Sequence, residues 1–180
     1  MLRAREDFRF FTRVYFPHYV RSPAESELHK YLYKLLPEIV GQIKSAADAI
    51  AAPRGEAKST LVSQLFVLWC LVTGRKRYPV IVMDSIDQAY PMLEAIKAEL
   101  EFNPRLMMDF PDATGRGSIW NAGTIITRRQ CQGAGVWARA KKCAVCATAR
   151  IVPTICVLDD NRERRAGAQP RAARQVGELA

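Results

Sequence analysis

Nowhere in this chain do about 18 apolar residues follow one another, the minimum for a helix that crosses a bilayer, so no membrane span is expected. The first seven residues, Met-Leu-Arg-Ala-Arg-Glu-Asp, lack the apolar h-region of a secretory signal, and a cytoplasmic protein is expected. Cysteines number five, an odd count that, without a secretion signal, argues against a disulfide framework. Cys143-x-x-Cys146, taken with Cys131 and Cys156, matches no established zinc-finger spacing, and no zinc is expected. Acidic residues are also short, 18 against 27 Lys and Arg. The resulting net charge of +9 invites a nucleic-acid partner. Yet residues 130–180 hold nine basic and four acidic side chains, so more than half of the excess lies in the least patterned part of the chain.

What the chain does have is a 49% apolar fraction, enough at 180 residues for one domain with a sizeable core. It also has one motif that carries chemistry. Residues 51–60 read Ala-Ala-Pro-Arg-Gly-Glu-Ala-Lys-Ser-Thr, and Ala52-x-x-x-x-Ala57-Lys58-Ser59 has the spacing of a phosphate-binding P-loop with alanine at both glycine positions. Such a loop needs a strand before it, backbone N–H groups turned inward, and a helix whose positive end completes the anion cradle. Residues 46–51, Ala-Ala-Asp-Ala-Ile-Ala, are expected as a short buried strand, and residues 61–72 as an apolar helix capped by Gly74. The main chain of Pro53, Gly55, Glu56 and Ala57 would then wrap phosphate oxygens. Lys58 would reach the terminal phosphates, the Ser59 hydroxyl would bind Mg²⁺, and Thr60 would open the helix. The methyl groups of Ala52 and Ala57 restrict the backbone where glycine is free.

Upstream, residues 8–16 are aromatic and basic, a segment that either packs on the core or covers a base as a lid. Ser22-Pro23-Ala24-Glu25 reads as a helix start, with Ser22 as N-cap, Pro23 at the first helical position and Glu25 closing a capping box. The apolar stripe Leu28, Tyr31, Leu32, Leu35 is expected to end before Pro37, with His29 beside it in a structural role. Beyond Gly74 the basic turn Arg75-Lys76-Arg77 leads to Pro79-Val80-Ile81-Val82-Met83-Asp84, the run of a parallel strand covered on both faces. Residues 85–102 are expected as a helix that starts near Tyr90 or kinks at Pro91, closed by Asn103-Pro104. Residues 119–127 read as a hairpin around Asn121 to Gly123. Ile155-Cys156-Val157-Leu158-Asp159-Asp160 is an apolar strand ending in paired carboxylates. A Walker B element needs this, one acid in the Mg²⁺ shell and the other near the attacking water. Strand, loop, helix, strand, helix is the order of an α/β nucleotide-binding domain.

Together these stretches resemble the ATPase domain of the large terminase subunit, the DNA-packaging motor of tailed phages and prophages. The likeness is carried by Tyr15-Phe16-Pro17-His18-Tyr19, Ser26-Glu27-Leu28-His29, Pro53-Arg54-Gly55-Glu56-Ala57-Lys58-Ser59-Thr60, Asn103-Pro104-Arg105-Leu106, Asp109-Phe110-Pro111-Asp112 and Val157-Leu158-Asp159-Asp160, and spans about residues 7–129. It implies a P-loop NTPase-like three-layer α/β fold with a mainly parallel central sheet, incomplete here. It further implies that Lys58 and Ser59 hold phosphate and Mg²⁺, that Arg54 is an arginine finger in cis, and that Asp159 is the Mg²⁺-shell acid. Glu56 departs from the family, which usually has an uncharged or basic residue there. The implied function is that of an ATP-binding fragment of the motor that packages double-stranded viral DNA into procapsids in the host cytoplasm, with the portal protein and the small terminase subunit as partners. Two alternatives stand beside it: a catalytically dead prophage remnant without nucleotide binding, and another P-loop ATPase, helicase-like or kinase-like, which would lack the Pro-Arg-Gly signature.

From Gln130 the patterning gives way to Ala, Arg and Cys. The genetic code supplies an account. With permissible codons, residues 130–136 read from the second base give Asn-Val-Lys-Val-Gln-Ala-Phe, residues 137–154 read from the third base give a terminase-like peptide, residues 155–160 are in frame, and residues 161 onward again read as terminase-like from the second base. A terminase-like domain over 1–160, out of frame at 130–154 and followed by a disordered tail at 161–180, is therefore expected. The glutamate that terminases place after the Walker B acids is then missing, with Asp160 a shorter substitute, and so is the C-terminal nuclease domain. Sequencing the gene is expected to find codons that spell these peptides in the shifted frames; any other codons sink the account.

Overall fold

In the computed structural model, which describes residues 2–20, 24–42, 47–53, 55–128, 133–138 and 154–159, two short helices open the chain. They are α1 (Leu2–Glu6) and α2 (Phe8–Tyr15). Asp7 caps α2, its carboxylate accepting from the Phe10 N–H at 2.8 Å. Phe8, Phe11, Tyr15 and Phe16 are buried in the core, so residues 8–16 pack as core rather than as a lid.

The next helix, α3, runs Glu27–Gly41, and two expectations about it are corrected. Its N-cap is Ser26, whose hydroxyl accepts from the His29 N–H; Ser22 and Pro23 lie outside the described residues. Glu25 closes no capping box, because its carboxylate is taken by Arg9 and Arg13 from α2. Burial alone would raise the Glu25 pKa, but the Arg9 hydrogen bond and the charges of Arg13 and Arg9 outweigh it and hold it below the usual carboxylate range. Nor does the helix stop before Pro37, which sits inside it. Leu36 and Val40 on either side of that proline are buried, and this packing offsets the lost backbone bond.

After the loop at residues 53–59, a π-helical turn (Thr60–Leu65) leads into α4 (Phe66–Thr73), with the Phe66 N–H donating to the Leu61 carbonyl five residues back. Every residue from Phe66 to Val72 is buried, and Gly74 ends the helix at φ +76°, as its sequence suggests. Trp69 is fully buried, lies tilted against Phe8 with ring centroids 5.3 Å apart, and donates from Nε1 to the Ala4 carbonyl at 3.0 Å. Cys70 is buried beside it, and desolvation pushes its thiol pKa up to about 12, so it is an inert core residue.

The remaining elements are β1 (Pro79–Met83), α5 (Ile86–Phe102), α6 (Pro104–Asp109), β2 (Arg116–Trp120), β3 (Thr124–Thr127), β4 (Gly133–Ala138) and β5 (Ile155–Asp159). α5 begins at Ile86 and carries Pro91 inside it, rather than starting near Tyr90. Asn103 ends α5 and caps α6, accepting from the Arg105 and Leu106 N–H groups. The hairpin forms at Asn121, whose side chain accepts from the Gly123 and Thr124 N–H groups.

The strands make one sheet in the order β2-β3-β4-β1-β5. β1 is parallel to both β4 and β5, while β2-β3 and β3-β4 are antiparallel. The fold is thus α/β as expected, but the sheet is mixed rather than mainly parallel, because the tight Asn121 turn can join only antiparallel strands. The sheet residues that share the helices' core are Ile81, Met83, Ile125, Ala134, Val136 and Val157, which the registers put on a single face. On the other face Cys156 and Leu158 are exposed, Leu158 at 76%. On that same face Val80 of the neighbouring strand is buried, so of these two strands only the edge one is exposed there. The expected strand at 46–51 is also absent: residues 47–53 are irregular and mostly exposed, since alanine side chains bury too little apolar area to hold an edge strand by packing.

Candidate functional site

The loop between residue 53 and the helix start is shaped by two left-handed residues, Gly55 at φ +91° and Ala57 at φ +51°. Only glycine adopts such angles freely, so Ala57 is strained at the place where P-loop spacing puts a glycine. Relief of about 1–2 kcal/mol, less the roughly 0.5–1 kcal/mol that glycine's freedom in the unfolded chain takes back, makes Ala57→Gly an expected gain of about 0.5–1 kcal/mol. Urea unfolding measures it, and a loss of stability would mean that the Ala57 methyl makes contacts worth more than the strain. His29 of α3 clasps the same loop, its Nε2–H donating to the Glu56 carbonyl at 2.9 Å. That contact ties the loop to α3.

Beyond the loop, Lys58 and Ser59 stand at the start of a helical stretch that runs through Thr73. Neither side chain has a hydrogen-bond or ion-pair partner among the described residues. Both line a cavity of about 580 Å³ that also takes in Asp48, Ser63, Lys76 and the whole of β5 through Asp159. Asp159 is 6% exposed and accepts a hydrogen bond from the Ser63 hydroxyl at 2.9 Å. Ser63 lies one turn beyond Ser59, on the same side of the helix. The π-helical turn between them is a geometry found often at functional sites.

The structure thus brings Lys58, Ser59 and Asp159 to one cavity. Ala57 and Thr60 instead line a neighbouring cavity of about 120 Å³, together with Tyr19 and His29. Pro53, Gly55 and Glu56 line neither. Arg54 and Asp160, the expected finger and the expected second acid, lie outside the described residues, as do Cys131, Cys143 and Cys146.

Two members of the site were missed in the sequence. Ser63 matches no P-loop position, and only its helical spacing from Ser59 could have suggested it. Lys76 sat in a basic turn that reads as a solvated surface. Removing the Ser63 hydroxyl leaves a buried carboxylate without its donor, a loss of about 1.5–3 kcal/mol for a charge-assisted bond. Ser63→Ala is expected to lower the denaturation midpoint accordingly; an unchanged midpoint would mean that Asp159 finds a second donor.

Chemically, the arrangement offers an ammonium group, a hydroxyl and the amide-bearing positive end of a helix, facing a carboxylate across a cavity. Such groups are of the kind that can receive an anion carrying a divalent cation. No group of three His, Cys, Asp or Glu side chains converges among the described residues. Mg²⁺ held by one hydroxyl, one carboxylate and phosphate oxygens needs no such group.

Fold and site together define an α/β protein with an anion-receptive helix start beside a buried aspartate. Comparison with protein-family models, curated proteins and solved structures found no match.

Proposed function

We propose that this chain is the ATP-binding part of a terminase-like large subunit, the motor that drives double-stranded viral DNA into a procapsid. The observation that carries the reading is the cavity shared by Lys58, Ser59 and Asp159, in which the two loop residues have no side-chain partner among the described residues. The donor set fits a Mg²⁺ triphosphate: Lys58 neutralises the terminal phosphates, the helix start receives their oxygens, and Ser59 with Asp159 supplies the protein oxygens of a Mg²⁺ shell. Bound ATP would supply the transferable γ-phosphoryl group. Ser63 keeps Asp159 oriented for its part, and His29 holds the loop's main chain through the Glu56 carbonyl. In this reading Arg54 acts in cis on charge building at the γ-phosphate, and Asp160 stands near the attacking water.

DNA, the portal protein and the small terminase subunit are the partners this reading carries with it. Isothermal titration of the full chain with Mg-ATP tests it. Saturable binding supports the nucleotide site, and the absence of binding turns the reading to a remnant that keeps the fold without the ligand.

A further inference from the structure

A second pocket, of about 370 Å³, lies where α5 turns into α6 and shares no lining residue with the 580 Å³ cavity. Its walls come from two segments that the nucleotide reading leaves unused: Pro17 and His18 after α2, and Glu99, Phe102, Pro104 and Arg105 at the helix junction. Large apolar side chains stand in water around it. Phe102 on its wall is 71% exposed, and Met107 and Met108, three and four positions from Pro104 and so beside it on α6, are 47% and 81% exposed. Leu106, on the inward side of the same helix, is fully buried. Aromatic and methionine side chains of this kind are enriched where proteins meet, methionine because its flexible thioether adapts to an incoming surface.

The charges select the occupant. Glu99, the carboxylate on the pocket wall, is already taken: it accepts from His18 Nε2 at 2.7 Å and from Asn103 Nδ2 at 2.8 Å. Nearby, Glu101 pairs with Arg116 at 2.8 Å, and Asp109 accepts from the Tyr15 hydroxyl at 2.5 Å. Arg105 differs. It donates to the Val14 carbonyl but has no ion-pair partner among the described residues. The pocket therefore carries a spare positive charge and no spare negative one on its wall. An incoming carboxylate gains a charge-assisted contact there, whereas an incoming ammonium group would have to displace an existing partner. A nucleic acid binds through several cations that meet successive phosphates, and here one arginine stands in sequence between Glu101 and Asp109.

We propose that this pocket docks a segment of a partner protein in which a large apolar side chain lies within a few positions of an Asp or Glu. The apolar side chain seats against Pro17, Phe102 and Pro104, and the carboxylate takes the remaining N–H groups of Arg105.

Selection of random displayed dodecapeptides on the full chain, followed by calorimetric titration of those selected, tests it. The selected peptides are expected to share an apolar residue with Asp or Glu close by. Their affinity is expected to fall at least about tenfold in Phe102→Ala and in Arg105→Gln, and as much when the peptide's own acid is made an amide. Phe102 is mostly exposed, so its variant keeps the fold even if Arg105→Gln, which releases the Val14 carbonyl, does not. Arg105→Glu is expected to regain binding when the peptide's acid is replaced by lysine. A selection no richer than on the Phe102→Ala/Arg105→Gln double variant, or peptides that bind parent and variants alike, overturns the proposal. Displacement of the peptide by a single-stranded oligonucleotide overturns it in favour of a nucleic acid. Self-association of the parent in sedimentation, lost in Phe102→Ala, overturns it in favour of a second copy of the chain.

Discussion

Replacing Lys58 with alanine is expected to weaken Mg-ATP binding roughly 10- to 100-fold, the equivalent of one lost charge-assisted contact of about 1.5–3 kcal/mol. The expectation follows because Lys58 has no hydrogen-bond or ion-pair partner among the described residues. Stability without ligand should therefore stay within about 0.5 kcal/mol of the parent, as for an unpaired surface side chain. Thermal unfolding with and without Mg-ATP separates the two effects. At a ligand concentration of about 100 times its Kd, the parent gains about 2.7 kcal/mol, and the variant should gain far less at the same concentration. Equal affinity in parent and variant would take Lys58 out of the phosphate site. A variant that unfolds more easily without ligand would show that Lys58 is a structural residue.

The second large effect lies in the core. Trp69 is the largest fully buried side chain among the described residues, wedged between Phe8 and Phe66 with the Arg75 guanidinium 4.8 Å from its ring centroid. Trp69→Ala opens a cavity at a cost of about 3–5 kcal/mol, and the Ala4 carbonyl loses its only indole donor. Since domains carry only about 5–15 kcal/mol in total, a loss of this size takes a large share of it. At roughly 2–4 °C per kcal/mol for a chain of this length, the melting temperature is expected to fall by about 6–20 °C. Trp69→Phe keeps most of the apolar volume and loses only the N–H bond, so its fall should be less than half as large. If both substitutions cost the same, the hydrogen bond to Ala4 rather than the packing tethers α1 to the core.

These two residues illustrate how unevenly the sequence discloses the protein. Lys58 and Asp159 were legible because their cues are local: a spacing before an apolar helix, and a carboxylate at the tip of an apolar strand. The helix ending at Gly74, the strand at Pro79–Met83 and the Asn121 turn are read for the same reason. β4 was not legible. Gly133-Ala134-Gly135 has neither strand propensity nor alternation, and it is a strand because it sits between β1 and β3 with Tyr78 packed over it. A Cβ at Gly135 would stand 2.8 Å from the Tyr78 hydroxyl oxygen, so the glycines are what admit that ring. The helix start was misplaced from Ser26 to Ser22 because both have serine-cap chemistry, and only the clasp of Arg9 and Arg13 on Glu25 decides between them.

By itself the sequence determined the period of each strongly apolar element, the turn residues that end them and the spacing of the loop before Thr60, because those depend on residues within a few positions of one another. Tertiary structure alone decided that Ser63 is the partner of Asp159, that Ala57 takes a left-handed angle, that the sheet is mixed, and that residues 47–53 stand beside β5 without pairing to it. Each of those depends on groups that meet only when distant segments pack, and no local preference is large enough to fix them in advance.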